Sequence, residues 1–478
     1  MNKTNLTGLS DNLNRLVKLA LDTGEASSVE DAEKLFKSYK LSVTAGPEVG
    51  YSPSLQAALL TIVNAGRRSL LGGVEVKGIE GMNLLLPVAP YRTLQEAVIG
   101  LGGCIVKTVS PRVPVIALGD AVTTKDAEFS IRATFDGWAA GIIPLNQDWL
   151  RLEEKREFIP SGVLAGALAV TEAFLFLRGI QPAAGRREAG LSLWRPELHW
   201  RDDAATGPAV DRFPASLWLI GLGNLGQAYL WTLGLLPFAE PADVHLVMQD
   251  FDVLAQSNES TSLLTSGDVL GMHKTRAMAR WAERRGFKIT IVERRFGANF
   301  RVSADEPTLA LCGVDNAIAR CALEDVGFGR VIEAGLGGGI QDFLGFRTHT
   351  FPGARKAHDL WAANSESSGH RLDLPAYKNL AAKGFDRCGL TQLAGRTVGA
   401  PFVGAIAATL VIAEALRIAN GAHCYDIVDA HLRDISHRSI VQAPELPPFN
   451  PGTTPCCSLG HGFLRSSKTR SVEKTYCS

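Results

Sequence analysis

Short apolar runs, each followed by a turn and a helically periodic stretch, recur along the chain. Leu217-Trp218-Leu219-Ile220 reads as a buried strand, and Tyr229, Leu230, Trp231 and Leu233 read as the buried face of a helix. Val244 to Met248 gives a second strand that ends in Asp250-Phe251-Asp252. Gly271-Met272-His273-Lys274 then opens a helix over Thr275 to Arg284. A third strand, Thr308 to Cys312, ends in Gly313-Val314-Asp315-Asn316, and later strands fall at Phe346 to Thr350 and Cys424 to Asp429. The first part is less regular. Strands are expected at Val113 to Leu118 and Gly141 to Leu145. Before them, Leu13, Leu16, Val17 and Ala20 form one helical stripe, and Ser28 caps a second helix running through Phe36. Strands alternating with helices predict an α/β fold.

An internal repeat divides the chain. Gly162, Ala165, Leu168, Glu172, Ala173 and Gly179 stand at the same offsets as Gly404, Ala407, Leu410, Glu414, Ala415 and Gly421. Small residues at helical spacing let a helix lie close against a neighbour. The simplest reading is two copies of one fold, the first eroded; the alternative is two unrelated alanine-rich helices. The expected organisation is a helical arm (1–45), a degenerate half (46–185), a charged linker (186–213), an intact half (214–441) and a disordered tail (442–478). Trp194 and Trp200 are expected to pin the linker to the surface. Ile99-Gly100-Leu101-Gly102-Gly103 echoes a phosphate loop but lacks a third glycine in place, so it is read as a helix end.

Composition narrows the function. Lys plus Arg and Asp plus Glu both number 49, so no basic footprint for nucleic acid or an anionic membrane is present. The longest nearly apolar run, Val163 to Leu177, is short for a span of about 20 residues and contains Glu172. Met1 to Asn5 lacks an apolar signal core. Eight cysteines without a CxxC pair fit free thiols in a reducing cytoplasm.

The chemistry centres on Gly221-Leu222-Gly223-Asn224-Leu225-Gly226, between a strand and a helix. Glycines let the backbone approach phosphates, and a helix start offers free N–H groups and a positive dipole end. Asp250 lies where a ribose-binding acid is expected. An NAD-dependent dehydrogenase shares these features. The following blocks differ: Asp250-Phe251-Asp252 leads to Ser257-Asn258, then Gly271 to Lys274, then a strand ending in Asp315-Asn316.

In these blocks the chain resembles the ThiF/MoeB superfamily, which includes the ubiquitin-activating enzymes, over about Pro214 to Asp434. The family pattern is GxGxxG, DxDxxxxSNLxRQ, GxxK and a strand ending in Asp-Asn. One departure stands out: the arginine and glutamine of the second block fall on Thr261 and Ser262. The resemblance implies a Rossmann-like adenylation domain preceded by a degenerate pseudo-repeat of the same fold, as in ubiquitin-activating enzymes. It implies ATP and Mg²⁺. Gly221, Gly223 and Gly226 would hold phosphates, Asp250 and Asp252 the ribose side, Asn258 and Lys274 the reacting phosphate, and Asp315 the Mg²⁺. Cys388, between Arg387 and Gly389 and near Arg396, is the expected thioester cysteine in a crossover loop. No zinc is expected, because the relatives' two CxxC pairs are missing.

The implied activity is adenylation of the C-terminal glycine of a ubiquitin-like protein, thioester formation on Cys388 and transfer to a conjugating enzyme. The implied setting is a bacterial antiphage conjugation system. No nucleic-acid or membrane partner is expected, and the assembly is a pseudo-dimer within one chain or a homodimer. The alternatives are the dehydrogenase and a non-catalytic scaffold, the latter motivated by Thr261. The charge deficit at Thr261 predicts a cation from the arm or the first half, with Arg67 and Arg68 as candidates.

Overall fold

The computed structural model describes residues 9–122, 128–362, 372–383, 387–445, 447 and 449–457. Three short helices form the arm: α1 (Leu9–Asn12), α2 (Val17–Asp22) and α3 (Val29–Lys37). Ser28 caps α3 by accepting from the Asp31 N–H at 3.0 Å. The first half follows: β1 (Leu41–Ala45), α4 (Pro53–Ser69), β2 (Val74–Lys77), α5 (Leu94–Gly100), β3 (Cys104–Ile105), β4 (Val115–Leu118), β5 (Ser130–Asp136), β6 (Ala139–Pro144), α6 (Ile159–Leu177) and β7 (Ala189–Ser192). After the edge strand β8 (Arg212–Pro214), the second half begins with β9 (Ser216–Ile220), α7 (Asn224–Leu235), β10 (His245–Gln249), α8 (Lys274–Arg284), β11 (Lys288–Val292), β12 (Leu309–Cys312) and α9 (Ala317–Cys321). It continues through β13 (Arg330–Leu336), β14 (Gly345–Phe351), α10 (Ala357–Trp361), α11 (Pro375–Ala382), α12 (Arg387–Gly395), α13 (Pro401–Ala419), β15 (Tyr425–His431), β16 (Arg438–Gln442) and β17 (Thr453–Pro455).

The two halves repeat one topology. The first sheet runs β3-β2-β1-β4-β5-β6-β7 and the second β11-β10-β9-β12-β13-β14-β15-β16. In each, the first five strands of that order are parallel and the rest antiparallel. The pseudo-repeat read from the two alanine-rich helices is therefore a repeat of the whole fold. The shared glycine and glutamate have physical roles. A Cβ on Gly162 would lie 2.1 Å from the Ser54 carbonyl oxygen, and one on Gly404 would lie 2.1 Å from Asn224 Oδ1. Each glycine thus lets its helix abut the start of the first helix of its own half. Glu172 accepts from the Gly185 N–H at 3.0 Å, and Glu414 accepts from the Tyr425 N–H at 3.0 Å. Each glutamate holds the chain that returns to the sheet.

Helices α6 and α13 are long and apolar enough to cross a membrane, but 94% and 89% of their apolar windows are buried in the protein. They pack against each other, joining the halves through one apolar core. Polar bridges add to this joint. Trp231 Nε1 donates to Thr61 Oγ1 at 3.1 Å, and Asn64 Nδ2 donates to the Leu263 carbonyl at 3.1 Å.

Several boundaries move. Leu41–Ala45, expected in the arm, is the fully buried β1, flanked by β2 and β4. Ala189–Ser192, expected in the linker, is β7 of the first sheet. Thr308 to Cys312 supplies the fourth strand of the second half rather than the third, because β11 precedes it. Part of the expected tail is ordered: β17 pairs with β8, and Cys456 Sγ lies 3.1 Å from the Val210 carbonyl. Ile99 to Gly103 is the end of α5 and its turn.

Candidate nucleotide cleft

In the second sheet the strand order reverses between β9 and β12, and a crevice opens at their carboxyl ends. The glycine turn sits there. Gly221 has φ +83°, a left-handed conformation that a side chain would strain. The next N–H, of Leu222, donates to Asp250 Oδ2 at 2.7 Å, and Asp250 Oδ1 accepts from the Asp252 N–H at 2.8 Å. Helix α7 starts after Gly223 with no side-chain cap, leaving its first N–H groups for an anion. A Cβ on Gly223 would meet no atom within 4 Å, so the space above the turn is open. Gly226 acts from behind: a Cβ there would fall 1.9 Å from the Gly221 carbonyl oxygen.

The crevice is a cleft of about 990 Å³. Gly221, Gly223, Asp250, Asp252, Asn258, Lys274 and Asp315 all line it, although they come from five separate segments. Lys274 is nearly buried; its Nζ lies 2.8 Å from Asp252 Oδ2 and 3.7 Å from Asp250 Oδ2. Asp252 is the more open acid, with 47% of its side chain exposed against 7% for Asp250. Asn258 Oδ1 accepts from the Ala255 N–H at 2.8 Å, fixing its own turn. Asp315 is exposed at the cleft, while Asn316 Oδ1 caps α9 through the Ala319 N–H at 3.1 Å. Among the described residues no cluster of three or more His, Cys, Asp or Glu side chains forms a protein-only metal cage. Asp315 fits a different arrangement, in which Mg²⁺ takes one or two carboxylates and otherwise phosphate oxygens and water.

The cations differ from those expected. Arg68 is buried and donates to the carbonyls of Glu259, Leu263 and Thr265, and Arg67 pairs with Glu259 at 3.4 Å. Neither lines the cleft; both brace the segment that carries Asn258. The arm supplies Arg15 instead. Its Nη2 donates to Ser257 Oγ at 3.3 Å, and its backbone N–H to Ser260 Oγ at 3.1 Å. Burial lowers its pKa to about 10, with the nearby charge of Arg396 adding to the effect and Asp11 and Asp315 opposing it. Arg294 and Arg295, just after β11, also line the cleft; Arg294 stacks on Phe300 and Arg295 on Phe251. No spacing in the sequence marks this pair, because the strand that delivers it, β11, has no clear apolar pattern of its own.

Cys388 falls in the first turn of α12 rather than in a loop, because Leu390 and Leu393 are buried at helical spacing. Its side chain lies outside the described residues, as does Gly384. A second cavity of about 800 Å³ lies over β13 to β16 and shares Arg320, Leu336 and Gly337 with the cleft. Arg320 and His349 hold the buried Glu333 between them at 3.1 and 3.0 Å.

Residues 40–193 match the BilD N-terminal domain and residues 213–422 the BilD C-terminal domain. The bacterial E1-like protein BilD of Collimonas sp. (strain OK412) is 43% identical over 462 residues, covering 95% of this chain and 99% of that protein. The chain belongs to the BilD family. That relative is described as a bacterial E1-like protein, so the family is an E1-like one, which speaks against the dehydrogenase alternative. Solved structures similar in part include E. coli MccB with MccA-N7isoASN (12% identity, 48% of this chain, 65% of that chain, TM-score 0.31). E. coli tRNA N6-threonylcarbamoyladenosine dehydratase, TcdA, is another (14% identity, 42% of this chain, 85% of that chain, TM-score 0.28).

Proposed function

We propose that the chain uses ATP to adenylate the C-terminal glycine of a ubiquitin-like protein, releasing pyrophosphate, and that the Cys388 thiol then takes the acyl group as a thioester, releasing AMP, for transfer to a conjugating enzyme. The observation that carries this reading is the single cleft that gathers the glycine turn, Asn258, Lys274 and Asp315. E1-like family membership supports it.

In this reading the N–H groups at the start of α7 and the open face of Gly223 hold phosphate. Asp252, and behind it Asp250, face the ribose. Lys274 turns part of its charge from the two aspartates to the phosphates, where one preorganised donor contributes about 3 kcal/mol to the transition state. Asn258 orients the attacking carboxylate. Mg²⁺ held by Asp315 and phosphate oxygens would offset the charge that builds on the leaving pyrophosphate. The partner's C-terminal segment approaches along the second cavity, past Arg320, where the two spaces join. Arg15 brings the arm's charge to the site within the same chain. We place the reaction in the cytoplasm, in a conjugation system of the antiphage kind.

The test is ATP–pyrophosphate exchange with a small β-grasp protein ending in glycine. Asp315→Ala abolishes exchange while the fold holds, and Cys388→Ala retains exchange but forms no thiol-labile adduct. Exchange at the wild-type rate in Asp315→Ala removes the Mg²⁺ assignment. A thiol-labile adduct in Cys388→Ala moves the acyl acceptor elsewhere. No exchange by the wild type with any such partner supports the scaffold alternative instead.

A further inference from the structure

We propose that Arg396 is the phosphate-binding cation that takes over from the arginine absent at position 261. The inference rests on the reading that a nucleoside triphosphate occupies the cleft.

Chain path makes the first argument. The segment that follows α12 runs over position 261. A Cβ on Gly399 would lie 3.0 Å from Thr261 Cγ2 and 3.9 Å from the Cβ of Arg15. Thr261 is itself buried in the cleft wall. A long side chain at 261 would meet this segment, so the short threonine and the overlying segment fit each other. That same segment carries Arg396 into the cleft lining, together with Thr397, Val398 and Gly399. A guanidinium is thus delivered to the neighbourhood where the family pattern has one, but from a different part of the chain.

The state of that guanidinium makes the second argument. One Nη of Arg396 donates to Asp11 Oδ1 at 2.7 Å. Its Nε is buried and has no hydrogen-bond partner among the described residues. Arginine carries five N–H donors in a fork suited to phosphate, and among the described residues only Asp11 accepts from this one. The Asp11 pair is a weak anchor, since 38% of the arginine side chain and 46% of the aspartate side chain are exposed. Arg396 also lies close enough to Arg15 for the two charges to repel, with Asp11 and Asp315 as the offsetting carboxylates. Six cationic side chains line the cleft against four carboxylates. Two neighbouring guanidiniums in such a space favour an anion between them, and a triphosphate supplies one.

The rival explanation is that Arg396 serves only as a clasp. The arm is tied to this region at other points: Lys18 Nζ donates to the Ala394 carbonyl at 3.2 Å, Tyr377 Oη to Asp22 at 2.6 Å, and Lys383 pairs with Glu30 at 2.9 Å. A clasp role predicts that Asp11 and Arg396 matter equally. A phosphate role predicts that they do not.

The experiment is isothermal titration of the full chain with α,β-methylene-ATP and, separately, with AMP, both with Mg²⁺ present. Arg396→Gln is expected to weaken triphosphate binding about tenfold or more, the cost of a lost charge-assisted contact, and to change AMP binding less than about twofold. Retained AMP binding shows that the variant is folded. Arg396→Lys is expected to recover most of the affinity. Asp11→Asn, which breaks the ion pair but leaves the guanidinium, is expected to bind the triphosphate at least as tightly as the wild type. Unchanged triphosphate affinity in Arg396→Gln overturns the inference, as does an equal loss in Asp11→Asn. A wild-type chain that binds neither ligand fails the nucleotide reading itself. A wild type that binds both, with Arg396→Gln unaffected, fails this inference alone.

Discussion

Replacing Arg68 by alanine tests how the first half supports the site of the second. Arg68 lies in the last turn of α4 with 3% exposure. It donates to the Leu263 and Thr265 carbonyls at 2.9 Å each, to the Glu259 carbonyl, and to Asn64 Oδ1 at 3.2 Å. Burial, and then the neighbouring charge of Arg67, push its pKa down, so the charge is held at a cost that these acceptors offset. Arg68→Ala removes that cost but leaves the Glu259 and Thr265 carbonyls and Asn64 Oδ1 short of a donor, while the Leu263 carbonyl keeps Asn64 Nδ2. At about 1 kcal/mol or more for each, the loss is about 3 kcal/mol, up to about 5 if water cannot enter. That is a large share of the roughly 5–15 kcal/mol typical of a folded protein. Urea unfolding followed by tryptophan fluorescence reads the loss, since Trp231 is buried where α7 meets α4. Arg68→Lys is expected to recover little, because an ammonium cannot span three carbonyls. The loosened 259–265 segment becomes a site of limited proteolysis. A shift below about 1 kcal/mol, or full recovery by lysine, refutes the strut and makes Arg68 an ordinary charge with no supporting role.

Titrating groups give two further tests. Burial opposes the charge on Glu75, but Lys40, the Ser110 N–H and hydroxyl, and Ser42 outweigh it and hold the carboxyl near pH 2, down from 4.5. A carboxyl depressed in the folded state contributes stability above about pH 4.5 that is lost as pH falls toward 2, here about 3 kcal/mol in full. Glu75→Gln therefore destabilises at pH 7, and its gap from the wild type closes in acid melts near pH 2; a gap that is constant with pH contradicts this. Burial, then the charge of Glu333, pushes the Cys312 thiol up to about 12, and burial with Glu414 does the same for Cys424. At pH 8 each thiolate is about one part in ten thousand, so iodoacetamide mapping should leave both unmodified, with labelling of the more open Cys424 rising about tenfold per pH unit. Labelling of either at the rate of a free thiol defeats this assignment.

Legibility in the sequence depended on whether the signal was local. Strand, glycine turn, helix and acid lie within one βαβ unit, so Gly221, Gly223 and Asp250 stand out by spacing; Lys274 lies beyond that unit and is singled out by the resemblance to the ThiF/MoeB pattern, and all four line one cleft. The strands that the sequence hides have physical reasons. β11 lies on the sheet edge, and none of its residues is buried, so no apolar face marks it as a core strand. β13 is buried, but Arg330 and Glu333 break its apolar run; Glu333 is tolerated because Arg320 and His349 meet it. β7 has only four residues, of which Leu191 alone is a large apolar side chain. The cations of the cleft are harder still. Arg15 and Arg396 are 381 positions apart in the chain and meet only after the arm has crossed to the second half. No periodicity marks such a meeting; only the deficit at Thr261 points to its need.

The first half explains its own erosion. Its β1 and β4 stand where β9 and β12 stand in the second sheet, so the equivalent crevice lies beside Gly46 to Glu48 and Gly119-Asp120. There Glu48 Oε2 accepts from the Asp120 N–H at 2.8 Å, and Cβ atoms on Gly46 or Gly119 would meet that same carboxylate oxygen at 2.7 and 2.6 Å. A backbone donor that could serve a phosphate is taken by the protein's own carboxylate, and a phosphate brought there would be repelled by Glu48 and Asp120. The sheet and the alanine-rich helix persist because a different surface needs them. Helix α13 is buried on one side by its own half and on another by α6. Helix α4 sends Thr61, Asn64 and Arg68 to the second half, the last two to the segment that carries Asn258. The arm, which precedes β1, delivers Arg15 to the same segment. A half without this fold would leave α13 exposed and that segment without its braces. The blocked crevice and the retained architecture therefore have one cause: one half of the pseudo-dimer has become the support for the other's site.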